Sequence, residues 1–279
     1  MFLTLLTPTY NRAHKLHRVY ESIKSQTLQK VDGEYIFEWI VIDDGSDDGT
    51  DELVKKWKKE VDWPIVYKYQ ENRGKWKALQ EGIKIARGEL TLIADSDDEF
   101  LPETFETFYN IWNKFTDEEK AKCGGIGVLC QDQHGNRVGC DYPVEKQLIP
   151  SLEAVFGWQN IGLGETWAAL KTQNLKNVFQ VPDKAKDLKF IPESFFWSRI
   201  VFELRPYSYF LNKVLRIYYR NEGDGISRGI REKYADGFLF ESKWFVTKYW
   251  NIAWRYPKIF FKHLIKLVYF SWKVGDGAR

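Results

Sequence analysis

The chain has 279 residues, 44% hydrophobic and 29% charged, with a net charge of +2, which makes a soluble globular fold with a large core and excludes a disordered polymer. Residues 231–279 hold ten Lys/Arg against four Asp/Glu, and residues 1–230 hold thirty-one against thirty-five, so the body lacks the basic stripe of a nucleic-acid binder. No stretch reaches the roughly 18 uncharged apolar residues of a membrane span, and "MFLTLLTPTYNR" has neither the basic leader nor the long apolar run of an export signal.

In chain order, Phe2–Leu6 reads as a buried strand stopped by Pro8. Leu16, Val19, Tyr20 and Ile23 then recur at helical spacing. Phe37–Ile42 is the second strand; Leu53, Val54 and Trp57 mark a short helix; Ile65–Tyr69 is the third strand. Ala78, Leu79, Gly82, Ile83 and Ala86 give another helix, with Gly88 as its expected C-cap. Leu90–Ala94 is the fourth strand. This alternation predicts βαβ crossovers and a mainly parallel sheet with flanking helices, whose ligands bind beyond the carboxyl ends of the strands.

The second half changes character. Ile126–Cys130 and Val138–Asp141 read as a hairpin around "HGNR", and Ser151–Phe156 and Thr172–Phe179 as helical pieces. "KFIPESFFWSRI" reads as a short strand entering a helix, Lys213–Tyr219 as a strand, and the chain from Tyr234 as aromatic, lysine-rich helices interrupted by Pro257. Cys123, Cys130 and Cys140 form no C-x-x-C pair; the odd count points to reduced thiols in a cytosolic protein, and small buried hydrophobes outweigh a zinc site with His134.

Two acidic loops demand an explanation: "DDGSDDGT" after the second strand and "DSDDE" after the fourth. An EF-hand is excluded for the first, because counting from Asp44 puts Lys55 where the bidentate carboxylate belongs. Asp47, Asp48 and Asp51 suit turn and helix-cap roles, whereas Asp43 and Asp44 end the strand and are placed to reach the crevice. In "DSDD", carboxylates at i and i+2 share one face of an extended segment and can grip a hard cation.

"TPTYNR", "WIVIDDGSDDGT", "NRGKWKALQEGIKIARGE" and "LIADSDDEFLP", in that order and spacing, resemble the family 2 glycosyltransferases of the GT-A fold. The resemblance is strong over residues 1–105 and thinner through "FIPESFFWSRI" and "VLRIYYRNEGDGISRG", which look like bacterial cell-surface polysaccharide transferases. It implies a GT-A domain over residues 1–230, with a nucleotide-binding half at 1–105 and an acceptor-binding half at 106–230. Residues 231–279 would form a helical extension.

By this resemblance Pro8, Thr9 and Tyr10 line a uridine pocket and Asp44 accepts the uracil imide proton. Gly74 lets backbone approach the nucleotide, with Lys75, and less directly Lys77, near base or phosphates. Asp95 binds ribose or metal, and Asp97, with Asp98 competing, holds Mn²⁺ or Mg²⁺. Glu193 of "IPES" becomes the base that deprotonates an acceptor hydroxyl, with Glu165 as runner-up, in an inverting transfer from a UDP-sugar to a glycan or lipid-linked acceptor. Trp76, Trp167 and Trp197 are candidates for sugar stacking, set against core packing. Arg220, Glu222 and Asp224 are candidates for a segment over the donor, set against an ordinary loop.

Phe260, Leu264, Leu267 and Tyr269/Phe270 approximate one helical face with lysines at its margins. This makes residues 250–274 a candidate for peripheral contact with the inner face of a cell membrane, for a homodimer contact, or for packing on the body. The rival readings are a sugar- or nucleotide-binding scaffold without catalysis and a nucleotidyltransferase; the latter needs a Gly-rich loop after the first strand, and "TPTYNR" has no glycine.

Overall fold

The computed structural model describes residues 1–157, 164–219 and 229–276. The chain divides into two compact units, Met1–Phe179 with Arg205–Arg220, and Gln180–Leu204 with Asn221–Arg279. The resemblance puts the domain boundary at residue 230; in the structure the segment 180–204 groups with the C-terminal helices.

The first unit opens with β1 (Leu3–Thr9), α1 (Ala13–Lys24), the short β2 (Lys30–Val31) and β3 (Glu34–Tyr35), β4 (Phe37–Asp43), α2 (Thr50–Glu60) and β5 (Ile65–Tyr69). Next come α3 (Lys75–Ile85), β6 (Leu90–Ile93), β7 (Glu99–Phe100), α4 (Thr104–Lys114) and α5 (Asp117–Lys122). It closes with β8 (Cys123–Asp132), β9 (Arg137–Val138), β10 (Leu148–Pro150), α6 (Ser151–Gly157), β11 (Thr166–Lys171), α7 (Thr172–Val178) and β12 (Tyr207–Tyr218).

The main sheet runs β10-β12-β8-β11-β6-β1-β4-β5, with β7 on β12 and β9 on β8. β6, β1, β4 and β5 are mutually parallel, and β11 joins β6 antiparallel. β1 and β4 are buried along their whole length, as parallel strands covered on both faces must be, and this is why both read as near-continuous apolar runs. Trp39 Nε1 donates to Thr7 Oγ1 at 2.9 Å, and Thr4 Oγ1 donates to Glu38, which also receives Arg87; the Thr9 hydroxyl, at the end of β1, is buried without a hydrogen-bond partner. Helix α1 lays Leu16, Val19, Tyr20 and Ile23 on the core, and Tyr20 stacks on Trp57 of α2 at 4.4 Å, worth about 0.5–1.5 kcal/mol beyond burial.

Several local expectations change. α3 ends at Ile85, and Gly88 serves close approach instead of capping: a Cβ there would lie 2.4 Å from the Thr4 nitrogen. At the start of α2 the cap is Gly49, while Asp48 accepts the Thr50 amide and hydroxyl and the Ala13 amide. β12 begins at Tyr207, well before Lys213, and β11 had no expectation. The hairpin forms, with Cys130 opposite Val138.

The second unit holds α8 (Glu193–Arg199), α9 (Ile230–Lys233), α10 (Ala235–Lys248) and α11 (Pro257–Asp276). No strand precedes α8: residues 190–192 are irregular, and Pro192 removes a ladder donor there. α10 and α11 pack through Phe238 on Phe270 at 5.1 Å and Phe245 on His263 at 3.7 Å. The buried Glu241 of α10 accepts from Ser194 and pairs with Lys266.

Candidate functional site

The parallel register sets the ends of β1 and β4 level, Thr9 opposite Asp43, while β6 stops three residues earlier, Ile93 opposite Leu6, so that the chain leaves it along the last residues of β1. The loops leaving that edge are stitched together. The Asp44 amide donates to Thr9 O at 2.8 Å, the Asn11 amide to Ser46 Oγ at 2.9 Å, and the Asp47 amide to Asn11 Oδ1 at 3.0 Å. Asp43 is spent on this turn, accepting the Ser46 amide and the Tyr67 hydroxyl.

Asp44 is 5% exposed, and its carboxylate gathers the loop that enters α3. Oδ1 accepts from Gln70 Nε2 at 2.6 Å and the Arg73 amide at 2.9 Å; Oδ2 accepts the Gly74 amide at 2.8 Å. A carboxylate has about four acceptor positions, so one remains on Oδ2 for an incoming N–H. Gly74 has φ 102°, ψ 150°, a conformation essentially restricted to glycine. That conformation aims the Gly74 amide at Asp44 Oδ2.

The second acidic loop, between β6 and β7, splits its aspartates by direction. Asp95 Oδ1 lies 2.7 Å from Lys75 Nζ, and Asp97 Oδ2 lies 2.6 Å from Arg12 Nη1; each aspartate side chain is 34% exposed, although Asp95 Oδ1 itself is buried. Burial works to raise the Asp95 carboxyl, but Lys75, Arg216 and Arg12 outweigh it and hold it below the ordinary carboxylate value.

Asp98 turns inward. Its Oδ1 takes two bonds from Arg216, at 2.6 and 2.9 Å, and its Oδ2 accepts the Asp95 amide at 2.9 Å. Burial pushes its carboxyl up to about 7 against the pull of Arg216, with Asp95 and Asp97 adding to the rise. The sequence offered Asp98 as an alternative metal ligand; its structural place is in this buried pair, because β12 delivers a guanidinium to it.

Pro8 and Thr9 are buried at the end of β1, and Tyr10 is half-exposed beyond them. Lys77 sits 5.3 Å from the Trp76 ring. Trp76 and Trp167 are core residues, the latter donating to Ile93 O at 2.7 Å, and Trp197 is half-buried in α8. Glu165 meets Arg216 at 3.3 Å, and Glu193 is the first residue of α8, in the second unit. Arg220, Glu222 and Asp224 lie outside the described residues.

Two residues of this cluster were missed from sequence. Arg12 sat in plain view at the end of "TPTYNR"; the clue was a cation one turn from a predicted carboxylate edge. Arg216 gave no local signal, since its partner Asp98 is 118 residues away.

The donor chemistry of Asp95 and Asp97 suits Mg²⁺ or Mn²⁺, which take one or two carboxylates and complete their shell with water and phosphate. Among the described residues no three His, Cys, Asp or Glu side chains form an all-protein metal cage, and such ions do not need one. Each carboxylate carries a neutralising cation instead, so an arriving metal would compete with Arg12 and Lys75.

The candidate site is thus the carboxyl edge of a parallel sheet, with an aspartate after β4 and an acidic pair after β6. Residues 4–124 match the family model described as glycosyl transferase family 2. The chain is 30% identical over 132 residues to a glycosyltransferase of Rickettsia typhi, covering 47% of this chain and 38% of that protein. It is 32% identical over 110 residues to the poly(ribitol-phosphate) beta-N-acetylglucosaminyltransferase TarP of Staphylococcus aureus, covering 39% and 32%. The matches thus span well under half of these relatives.

Among solved structures, S. aureus TarS 1–349 in complex with UDP-GlcNAc superposes with a TM-score of 0.64 at 20% identity, over 88% of this chain and 67% of that one. The mannosyltransferase PcManGT of Pyrobaculum calidifontis, in complex with GDP-Man and Mn²⁺, gives 0.55 at 20% identity, over 86% and 63%. These likenesses establish the GT-A fold.

Proposed function

We propose that the protein is a metal-dependent, inverting glycosyltransferase that takes a UDP-sugar and extends a glycan or lipid-linked acceptor in cell-surface polysaccharide synthesis, working in the cytoplasm. The observation that carries this reading is Asp44: a buried carboxylate at the carboxyl end of β4, pre-organised by three donors, with one acceptor position left. That position accepts an imide N3–H, which uracil has and cytosine lacks. The UDP and UDP-GlcNAc complexes of TarS, a structural neighbour, favour the same donor class.

In this reading Pro8, Thr9 and Tyr10 wall the base, and Gly74 lets backbone approach the nucleotide. Asp97, with Asp95, holds Mn²⁺ or Mg²⁺, which supplies Lewis-acid stabilisation of the leaving diphosphate. Lys75 and Arg12 add fixed positive charge at the same edge. Glu193 takes the proton of the attacking hydroxyl as the anomeric centre inverts. Glu165, the alternative base, meets Arg216 at 3.3 Å.

The test is release of UDP from a panel of UDP-sugars, with Mn²⁺ and with EDTA. Metal-dependent turnover of one donor is expected, lost in Asp97→Asn while the variant's melting curve stays that of the wild type. Near-normal turnover by that variant would remove the metal assignment; silence with every donor, despite tight UDP binding, would favour a scaffold.

A further inference from the structure

The apolar face of α11 that faces outward is not the one the sequence suggested. Phe270 is buried at 3% against Phe238, and Phe260, Leu264 and Leu267 are half-buried. The exposed residues are Phe261 at 55%, Ile265 at 69%, Val268 at 66% and Trp272 at 58%, with Tyr269 beside them. Their spacing of four, three and four places them in one stripe along the helix. The segment before α11 adds Trp250 and Trp254, the latter 90% exposed.

Charge identifies what covers this stripe. From Ser242 to Gly275 the sequence has seven Lys/Arg and not one Asp or Glu. On the helical wheel Lys258, Lys262 and Lys273 fall along a single margin of the stripe, and Lys258 and Lys262 are exposed. Lys266, nearer the packed side, pairs instead with Glu241. An apolar stripe with Trp and a lysine margin is the pattern of a helix lying in a bilayer interface. No helix among the described residues is long and apolar enough to cross a membrane, so the contact is in-plane.

We propose that the Phe261–Ile265–Val268–Trp272 face of α11, with Trp254 and the Lys258/Lys262/Lys273 margin, docks this protein on an anionic lipid bilayer. The stripe enters the headgroup–acyl boundary while the lysines meet lipid phosphates, and Lys273 lies 5.6 Å from the Trp272 ring so that one depth serves both. This surface is independent of the donor site, so it stands or falls apart from the proposed chemistry.

Flotation of the full chain with vesicles tests it. Binding is expected to phosphatidylcholine vesicles containing about a third phosphatidylglycerol, to weaken with added salt, and to be slight on phosphatidylcholine alone. The double variant Ile265→Asp/Val268→Asp should lose binding while keeping wild-type circular dichroism and melting, because both side chains are already in solvent. Lys258→Gln, Lys262→Gln and Lys273→Gln should each weaken binding about fivefold. A wild-type chain that stays off the anionic vesicles, or variants that bind as it does, would overturn the proposal. So would a wild-type dimer in solution that the Asp variants convert to monomer, which would assign the stripe to a second copy of the chain.

Discussion

Replacing Arg216 with Met isolates the ion pair that aims the second acidic loop. The guanidinium contacts Asp98 at 2.6 and 2.9 Å, and the two side chains are 7% and 4% exposed. Met fills similar volume, so the change mainly leaves a buried carboxylate without its counter-charge, at a cost of about 3–5 kcal/mol. Protonation relieves part of it: the Asp98 carboxyl sits at about 7 even beside Arg216, and without the cation it moves higher. Wild type and variant then differ in this carboxyl's charge only above about 7, so the deficit grows as pH rises from 7 toward the variant's higher value and is level below 7, where the folded carboxyl is protonated in both. Urea unfolding should show the variant losing stability, relative to wild type, as pH is raised above 7. Asp98→Asn in the same background removes the stranded charge and should restore all but about 1–2 kcal/mol. Because Asp98 and Asp95 exchange backbone and side-chain bonds, Arg216→Met should also weaken UDP and Mn²⁺ binding together. A variant as stable as wild type at pH 7, or one that Asp98→Asn does not rescue, would show that the pair does not hold the loop.

Three further outcomes are expected. Asp44→Asn turns an amide NH₂ toward one of its three donors, and isothermal titration should give UDP binding roughly 10–100-fold weaker, with less discrimination against CDP; binding within twofold of wild type would refute the base-reading role. His263 is buried on Phe245 and its folded value is depressed from 6.5 to about 3 by burial, with Lys266 and Lys262 adding to the fall. Its contribution is complete above 6.5 and declines as pH drops, by about 1–2 kcal/mol between 6.5 and 5 allowing for partial exposure; His263→Leu should flatten the decline in denaturant unfolding of the second unit. Finally, UDP and Mn²⁺ should each tighten the other by the same factor, on the order of tenfold or more, and equal UDP affinity with Mn²⁺ or EDTA would break the link.

The sequence was most legible where local pattern and burial coincide. β1 and β4 are buried on both faces, so they read as apolar runs, and the aspartates after β4 and β6 mark where those runs meet solvent. What it hid was direction. Nothing in "DSDD" says that Asp98 turns in while Asp95 and Asp97 reach the edge; that depends on Arg216, brought from β12 by the sheet order. Asp43 and Asp44 look equivalent, yet one closes a turn through Ser46 and Tyr67 and the other organises α3 through Gly74. On α11 both sides of the helix are apolar, so periodicity alone could not choose which side meets α10. The choice became visible only through Phe270 and His263.

The charge balance of the edge bears on how such a site can wait for its ligands. Two exposed carboxylates left unpaired, two residues apart, would repel each other and draw in stray cations. Arg12 and Lys75 cancel that charge with one cation each, at 2.6 and 2.7 Å, so the loop keeps its shape before any ligand arrives. A divalent ion alone must displace at least one cation and leaves excess positive charge; a diphosphate alone meets carboxylates that repel it. Together they restore neutrality, and the displaced cations then face phosphate oxygens, to which arginine and lysine bond well. If the proposed function holds, the pairing of these four side chains makes nucleotide and metal binding depend on each other.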